Sequence, residues 1–403
     1  MRRLVPAALG ALHAAVPVFP AFITLTSVAY PGVSLFGRPL VWAVLAIACL
    51  IAVYLLLTLL VDRSHVGQPL LWPLGAWVAA TMLSTVAGFD PRAGLLFVSI
   101  FGLGGIAWHC ALVRFFRERY VAPALFWSYL LSGTLAAGSA VAMALARKPA
   151  ALYAISHGRA TGTFILPGEL AAYLVVFVPI AYGIARVART MPLRALAWSS
   201  VIVGTIALYE THSRAGWMGF FAAAAFFVAV QVRARRTGAL VATAVICAGV
   251  VAILAAFNVQ HNPSEDYTRI AIWQAAVQII DRFPLTGVGP FDFSRLYAVV
   301  HVPDADATAF HAHSLYLTFF AELGVLGLAA FLYICVVLVR VLCVRLASAP
   351  ADAALLSVAA AAGLVGVAVQ GLVDTMSVVI FGLWMPTMGL AIAAAGGDWD
   401  RRS

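Results

Sequence analysis

The sequence predicts an all-α polytopic membrane protein, on three observations. Hydrophobic residues make up 64% of the chain against 10% charged, mean hydropathy is +1.00, and apolar runs recur along nearly the whole length. Soluble domains carry roughly 25% charged residues, so these proportions exclude an ordinary soluble enzyme. At ~20 residues per span there is room for about a dozen helices. No polar segment is long enough for a separate domain, and residues 1–403 read as a single integral membrane unit.

Hydropathy marks twelve runs, at 4–29, 40–61, 70–88, 94–113, 121–145, 164–185, 195–210, 215–231, 239–257, 315–341, 353–373 and 377–396. The basic start "MRRLV" precedes a run too long for a signal-peptide core, so it reads as the first span. The runs at 195–210 and 215–231 are short for a full crossing, which predicts a joining turn slightly inside the bilayer. The five cysteines, Cys49, Cys110, Cys247, Cys335 and Cys343, have no metal or redox spacing and read as small core hydrophobes.

A net charge of +9 would point to nucleic acid if the basic residues formed a patch with interleaved aromatics. They lie instead between apolar runs, so no nucleic-acid partner is implied. Short loops rich in Arg stay cytoplasmic. That places Arg2, Arg3, Arg63, Arg114, Arg117, Arg119, Arg186, Arg189, Arg194, Arg233, Arg235, Arg236, Arg340, Arg345, Arg401 and Arg402 inside, with both termini.

One large loop remains, residues 258–312 between the ninth and tenth spans, on the outer side. Within it "DYTRIAIWQAAVQIIDRF" sets Ile270, Trp273, Val277 and Ile280 at helical spacing, predicting an amphipathic helix on the outer interface. "PLTGVGPFDFSRLYAVV" then predicts a Gly/Pro turn and a short second helix.

The outer side holds arginines that the topology rule does not explain: Arg159 in "SHGRATGTF", Arg214 in "ETHSRAGW" and Arg269 in "DYTRIAIW". A forked guanidinium suits phosphate oxygens, so an anionic ligand at the membrane surface is one reading. Ion pairing with Glu210, Glu265 or Asp266 is the other, and it covers Arg282 and Arg295, each near an Asp. "HAH" at 311–313 offers His313 as a general base. With Asp304 and Asp306 the pair also offers a divalent-metal site. His311 gains no role. On a straight helix Glu322 faces away from His313, about 13 Å along, and Gly324 and Gly327 read as helix-packing residues.

Four elements together resemble the O-antigen ligase and polymerase superfamily: "GRATGTFILPGELAAYL" at 158–174, "HSRAGWMGF" at 212–220, "RIAIWQAAVQIIDRFPLTGVGPFDF" at 269–293 and "HAHSLYLTFFAELGVLGL" at 311–328. Where relatives often carry Asn after the Pro of the first element, this chain has "LPGE", with Glu169. The resemblance implies a GT-C-like glycosyltransferase of the bacterial inner membrane with a periplasmic active site. It implies transfer of O-antigen from undecaprenyl pyrophosphate to a lipid A-core hydroxyl, without cofactor or metal. Residue by residue it makes His313, Arg214 and Arg269 catalytic. Arg159, Arg214, Arg269 and Trp273 are the substrate-binding set.

His313 would then deprotonate the acceptor hydroxyl, and the guanidinia would stabilise the departing pyrophosphate. With no second carboxylate identified nearby, single displacement with inversion is expected rather than a glycosyl-enzyme. An O-antigen polymerase or a protein O-oligosaccharyltransferase is the alternative within the superfamily. A lipid or solute transporter is the alternative outside it, weakened by the lack of paired repeats. Transfer by the purified protein is expected to persist in EDTA; loss of activity restored by a divalent ion would return the reading that uses Asp304 and Asp306.

Overall fold

A computed structural model describes residues 2–26, 38–63, 68–232, 235–257, 263–301, 309–374, 378–397 and 399. Asp304, Asp306, Arg233, Arg401 and Arg402 lie outside the described residues. The helices are α1 (Val5–Thr26), α2 (Arg38–Val61), α3 (Leu71–Ala87), α4 (Pro91–Phe115, with a π-helical stretch inside), α5 (Val121–Ala146), α6 (Ala150–Ile155), α7 (Pro167–Val187), α8 (Met191–Glu210), α9 (Arg214–Gln231), α10 (Arg235–Phe257), α11 (Pro263–Arg282), α12 (Phe293–Val300), α13 (Leu315–Leu346), α14 (Ala351–Gln370) and α15 (Val378–Ala394). Each apolar run coincides with one of them. Among the described residues there is no strand. Among the described residues seven helices, α4, α5, α7, α8, α9, α13 and α14, are long and apolar enough to cross a membrane, so the protein is a multi-pass membrane protein.

The expectation of two short spans is corrected for the first and holds for the second, α9, which has 18 residues. Pro192 starts α8 in its first turn, and the Arg194 side chain donates to Ala188 O at 2.7 Å. Helix α8 therefore extends beyond its apolar run to 20 residues, about 30 Å at 1.5 Å per residue. The cysteine reading holds for buried Cys110, but Cys49, Cys247 and Cys343 are on the outside of the bundle.

The centre of the bundle is α7 against α14. A stretch of small residues, "SVAAAAGLVGVA", gives α14 a face without bulky side chains. A Cβ on Gly219 of α9 would sit 2.6 Å from Gly366 O, and one on Gly366 would sit 2.7 Å from Gly219 O, so these two backbones touch. The packing fixes the start of α7, the start of α9 and the end of α14 together.

Helix α13 is not straight. Gly324 takes φ 66°, ψ −171°, a conformation essentially confined to glycine. The break frees backbone groups that "PLTGVG" fills: Val288 N–H donates to Ala321 O and Gly289 N–H to Glu322 O, both at 3.0 Å, while Val325 N–H donates to Pro284 O at 2.9 Å. Ser84 Oγ of α3 adds a bond to Glu322 O at 2.6 Å. The fit is close from both sides. A Cβ on Gly324 would meet Leu285 O at 2.2 Å, and one on Gly287 would meet Glu322 O at 2.3 Å. Gly324 thus serves this loop rather than helix packing. Glu322 is buried in the break, its Oε1 accepting from Phe293 N–H at 3.4 Å, away from His313 as expected.

The face by which α11 packs on the protein is not the one that carries the expected apolar stripe. Ile272, Ala275, Ala276 and Ile279 are buried with Phe293, Tyr297, Ala312 and Ala321 in a core of their own, while Ile270 and Val277 are exposed. Of the four residues named from spacing, Ile280 is buried and Trp273 only partly so. The alanines decide the orientation, because they let α11 approach α13 closely.

Segments predicted to share a side do meet. Arg2 pairs with Asp62 at 3.0 Å, and Arg117 lies against Gly396. At the other end Phe89 N–H donates to Val288 O, and Arg295 pairs with Asp90 and Asp292, as the ion-pair reading has it. Gly324→Ala is expected to destabilise by about 1–3 kcal/mol from backbone strain alone, read as a lowered melting temperature in detergent. Gly75→Ala, whose Cβ meets nothing within 4 Å, is the control; equal melting of the two variants would contradict the role of the break.

Candidate functional site

The turn between α8 and α9 is built by its own side chains. Thr211 Oγ1 donates to Leu208 O at 2.7 Å and accepts from Ser213 N–H at 3.2 Å. Ser213 caps α9, its Oγ accepting from Gly216 N–H at 3.1 Å. His212, between them, takes φ +48°. Arg214 is the first residue of α9, where the helix macrodipole is positive and a cation is unfavourable. An anion placed there removes that penalty and meets backbone N–H groups as well.

Arg159 reaches the same place from the segment after α6. His157 and Gly158, at φ +53° and +75°, turn the chain back, and Ser156 Oγ holds Arg159 O at 2.6 Å. Ala160 N–H then bonds Glu210 O, and Arg159 Nε donates to Thr211 O at 2.9 Å. Its guanidinium is therefore tied to the end of α8 through one nitrogen. Arg269 comes from the first half of α11.

Asp374, just past α14, completes the set. Its amide bonds Gln370 O at 3.1 Å, and its carboxylate lies over the start of α7, where a Cβ on Gly168 would be 2.7 Å away. Arg159, His212, Ser213, Arg214, Ala215, Arg269 and Asp374 line one pocket. His313 Nδ1 is 3.6 Å from Asp374 Oδ1, with the imidazole 33% exposed and the carboxylate 13%. The fold thus brings together all three predicted arginines and the predicted histidine.

His313 is held in a left-handed conformation at φ +46°. Its N–H donates to His311 Nδ1 at 3.3 Å, the two rings meeting edge to face at 4.6 Å. Below it, Ser314 Oγ and Leu315 N–H both bond Gly371 O, at 3.4 and 2.8 Å, and Tyr316 Oη bonds Ala368 O. These bonds fasten the start of α13 to the end of α14, just ahead of Asp374. His311 therefore has a role that the sequence did not reveal: it positions the His313 backbone. Burial pushes the His311 imidazole down to about 4, His313 acting in the same direction and Asp374 opposing. A neutral ring is what accepting at Nδ1 requires.

Two expectations change. Trp273 is not in the pocket lining; it is partly buried one turn along α11, and its Nε1 has no hydrogen-bond partner among the described residues. A carboxylate does lie beside His313, contrary to the reading of the sequence. Asp374, in "GLVDTMS", carried one available signal: it is the charge at the end of the 353–373 run, on the side where the unexplained arginines gather. Glu169 is buried in the first turn of α7, where a negative charge suits the helix dipole.

Fold and site together define a polytopic membrane protein with a cationic, histidine-bearing pocket at one end of its helix bundle. A family model described as O-antigen ligase matches residues 198–332. The match bears out the resemblance to the O-antigen ligase and polymerase superfamily. It takes in His212, Arg214, Arg269, His311 and His313, whereas Arg159 and Asp374 come from outside it. A comparison with curated proteins returned no match.

His311 makes a pH dependence predictable. An unfolded His titrates near 6.5, and the folded value is lower, so the stability it confers is complete above about pH 6.5 and is lost as pH falls towards 4. The melting temperature of His311→Gln is expected to fall less steeply than wild type over that interval. Parallel slopes would contradict the assignment.

Proposed function

We propose that this protein is an inner-membrane glycosyltransferase. It transfers O-antigen from undecaprenyl pyrophosphate to a sugar hydroxyl of lipid A-core at the periplasmic face, with both termini cytoplasmic. The observation that carries the reading is the gathering of Arg159, Arg214 and Arg269 around one pocket with the His313–Asp374 pair at its edge. Three fixed cations on a site that a membrane-borne donor can reach are matched by a pyrophosphate diester, which brings two negative charges.

The chemistry follows from those positions. His313 takes the proton of the acceptor hydroxyl as its oxygen attacks the anomeric carbon of the donor's first sugar. The bond from that carbon to the phosphate oxygen breaks, and its electron pair leaves with undecaprenyl pyrophosphate. The arginines offset the added charge as it develops, and Asp374 stabilises the imidazolium that results. Displacement in one step inverts the anomeric centre. Asp374 also supplies the one observation that favours a second route, in which a carboxylate attacks first and the configuration is retained.

One reconstituted assay, with purified lipid-linked glycan as donor and lipid A-core as acceptor, separates these readings. His313→Ala is expected to slow transfer by roughly 10²–10⁴ while donor binding survives, and Arg214→Lys by roughly 10² because a point charge does not replace the fork. The product is expected to have the opposite anomeric configuration to the donor. Full activity of His313→Ala would remove the base, retention would make Asp374 the nucleophile, and elongation of lipid-linked glycan with no product on lipid A-core would make the protein a polymerase.

A further inference from the structure

His212 lines the same pocket as the three arginines, yet the reaction described above gives it no task. It occupies the middle of the α8–α9 turn at φ +48°, a left-handed conformation uncommon in any residue but glycine. The neighbouring Thr211 and Ser213 bonds hold the turn in that shape, so the ring is fixed in the pocket wall beside Arg214.

We propose that His212 is a proton-gated fourth cation of the pocket: it takes a proton from solvent when a pyrophosphate diester enters and then holds that anion together with Arg159, Arg214 and Arg269. The inference rests on reading the pocket as a pyrophosphate site and adds a group to it. The groups around the ring come from every element that meets there. Glu210 and Arg214 flank it in sequence, Arg159 approaches from the segment after α6, Arg269 from α11 and Asp374 from beyond the end of α14, and the Tyr209 ring lies tilted against it at 5.8 Å between centroids.

In the empty pocket burial holds the imidazole below its usual range, Arg159 acts in the same direction and Glu210 opposes. The resting ring is neutral near pH 7. Two incoming negative charges reverse the balance, since an opposite charge within a few ångströms favours the protonated form. Each unit by which the bound anion raises the pKa corresponds to tenfold tighter binding at low pH. A histidine here lets the pocket add a charge for the anion without a fourth permanent cation repelling the other three when the site is empty.

The test measures binding of a geranyl methyl pyrophosphate diester, which has no titratable proton near neutrality, to the full-length protein in detergent between about pH 6 and 8.5. Wild type is expected to bind about tenfold more tightly at the acidic end and to take up close to one proton by calorimetry in two buffers. His212→Asn should bind at every pH with the wild type's alkaline affinity. His212→Arg should bind tightly throughout. Binding by wild type without pH dependence or proton uptake would overturn the proposal, as would tightening retained in His212→Asn. Failure of wild type to bind at any pH would instead overturn the pyrophosphate reading itself.

Discussion

The site depends on the break in α13. A continuous helix would satisfy its own carbonyls, and the loop at 284–289 would have no partners. With Gly324 out of helical conformation, Ala321, Glu322 and Val325 bond that loop instead. The loop is the direct continuation of α11, so anchoring it fixes the helix that carries Arg269. The start of α13, just after His313, is fastened separately to the end of α14. Both halves of the site are thus located from one helix, broken once. Irregular backbone in a membrane protein is tolerated where protein buries it, and here Ser84 of α3 closes the gap from behind.

Electrostatics gives the pocket its direction. Arg214 stands at the positive end of α9, Arg159 is tied to a carbonyl at the end of α8, and Arg269 joins them from α11. Repulsion among three guanidinia is costly at a partly desolvated site, and Asp374 supplies a single negative charge. The arrangement favours a multiply charged anion. Asp374 links the two parts, lining the pocket with the arginines and lying 3.6 Å from the His313 ring, so one ligand can meet the cations while its reacting end meets the base.

Much of this was legible in the sequence. The apolar runs match helices because membrane spans must be long and apolar, and the arginines stood out because topology left them unexplained. What was not legible required three-dimensional proximity. Asp374 is separated from His313 by two helices' worth of chain and meets it only because α13 is fastened to α14. The protein-facing side of α11 was not legible because the bulky residues stand out in the sequence over Ala275 and Ala276, whose small size is what allows contact with α13. The break at Gly324 was invisible because an apolar run of constant hydropathy does not record backbone direction. His311 seemed idle because its contribution is a ring nitrogen offered to a neighbouring amide.

The central claim is that the cationic pocket and His313 form one site for a lipid-linked pyrophosphate. An electron-microscopy structure of the protein in a lipid nanodisc with a polyprenyl pyrophosphate glycan tests it most directly. The account predicts the pyrophosphate among Arg159, Arg214 and Arg269, with the anomeric carbon of the first sugar facing His313. A donor bound with its pyrophosphate outside that pocket, or with its sugar directed away from His313, would contradict it.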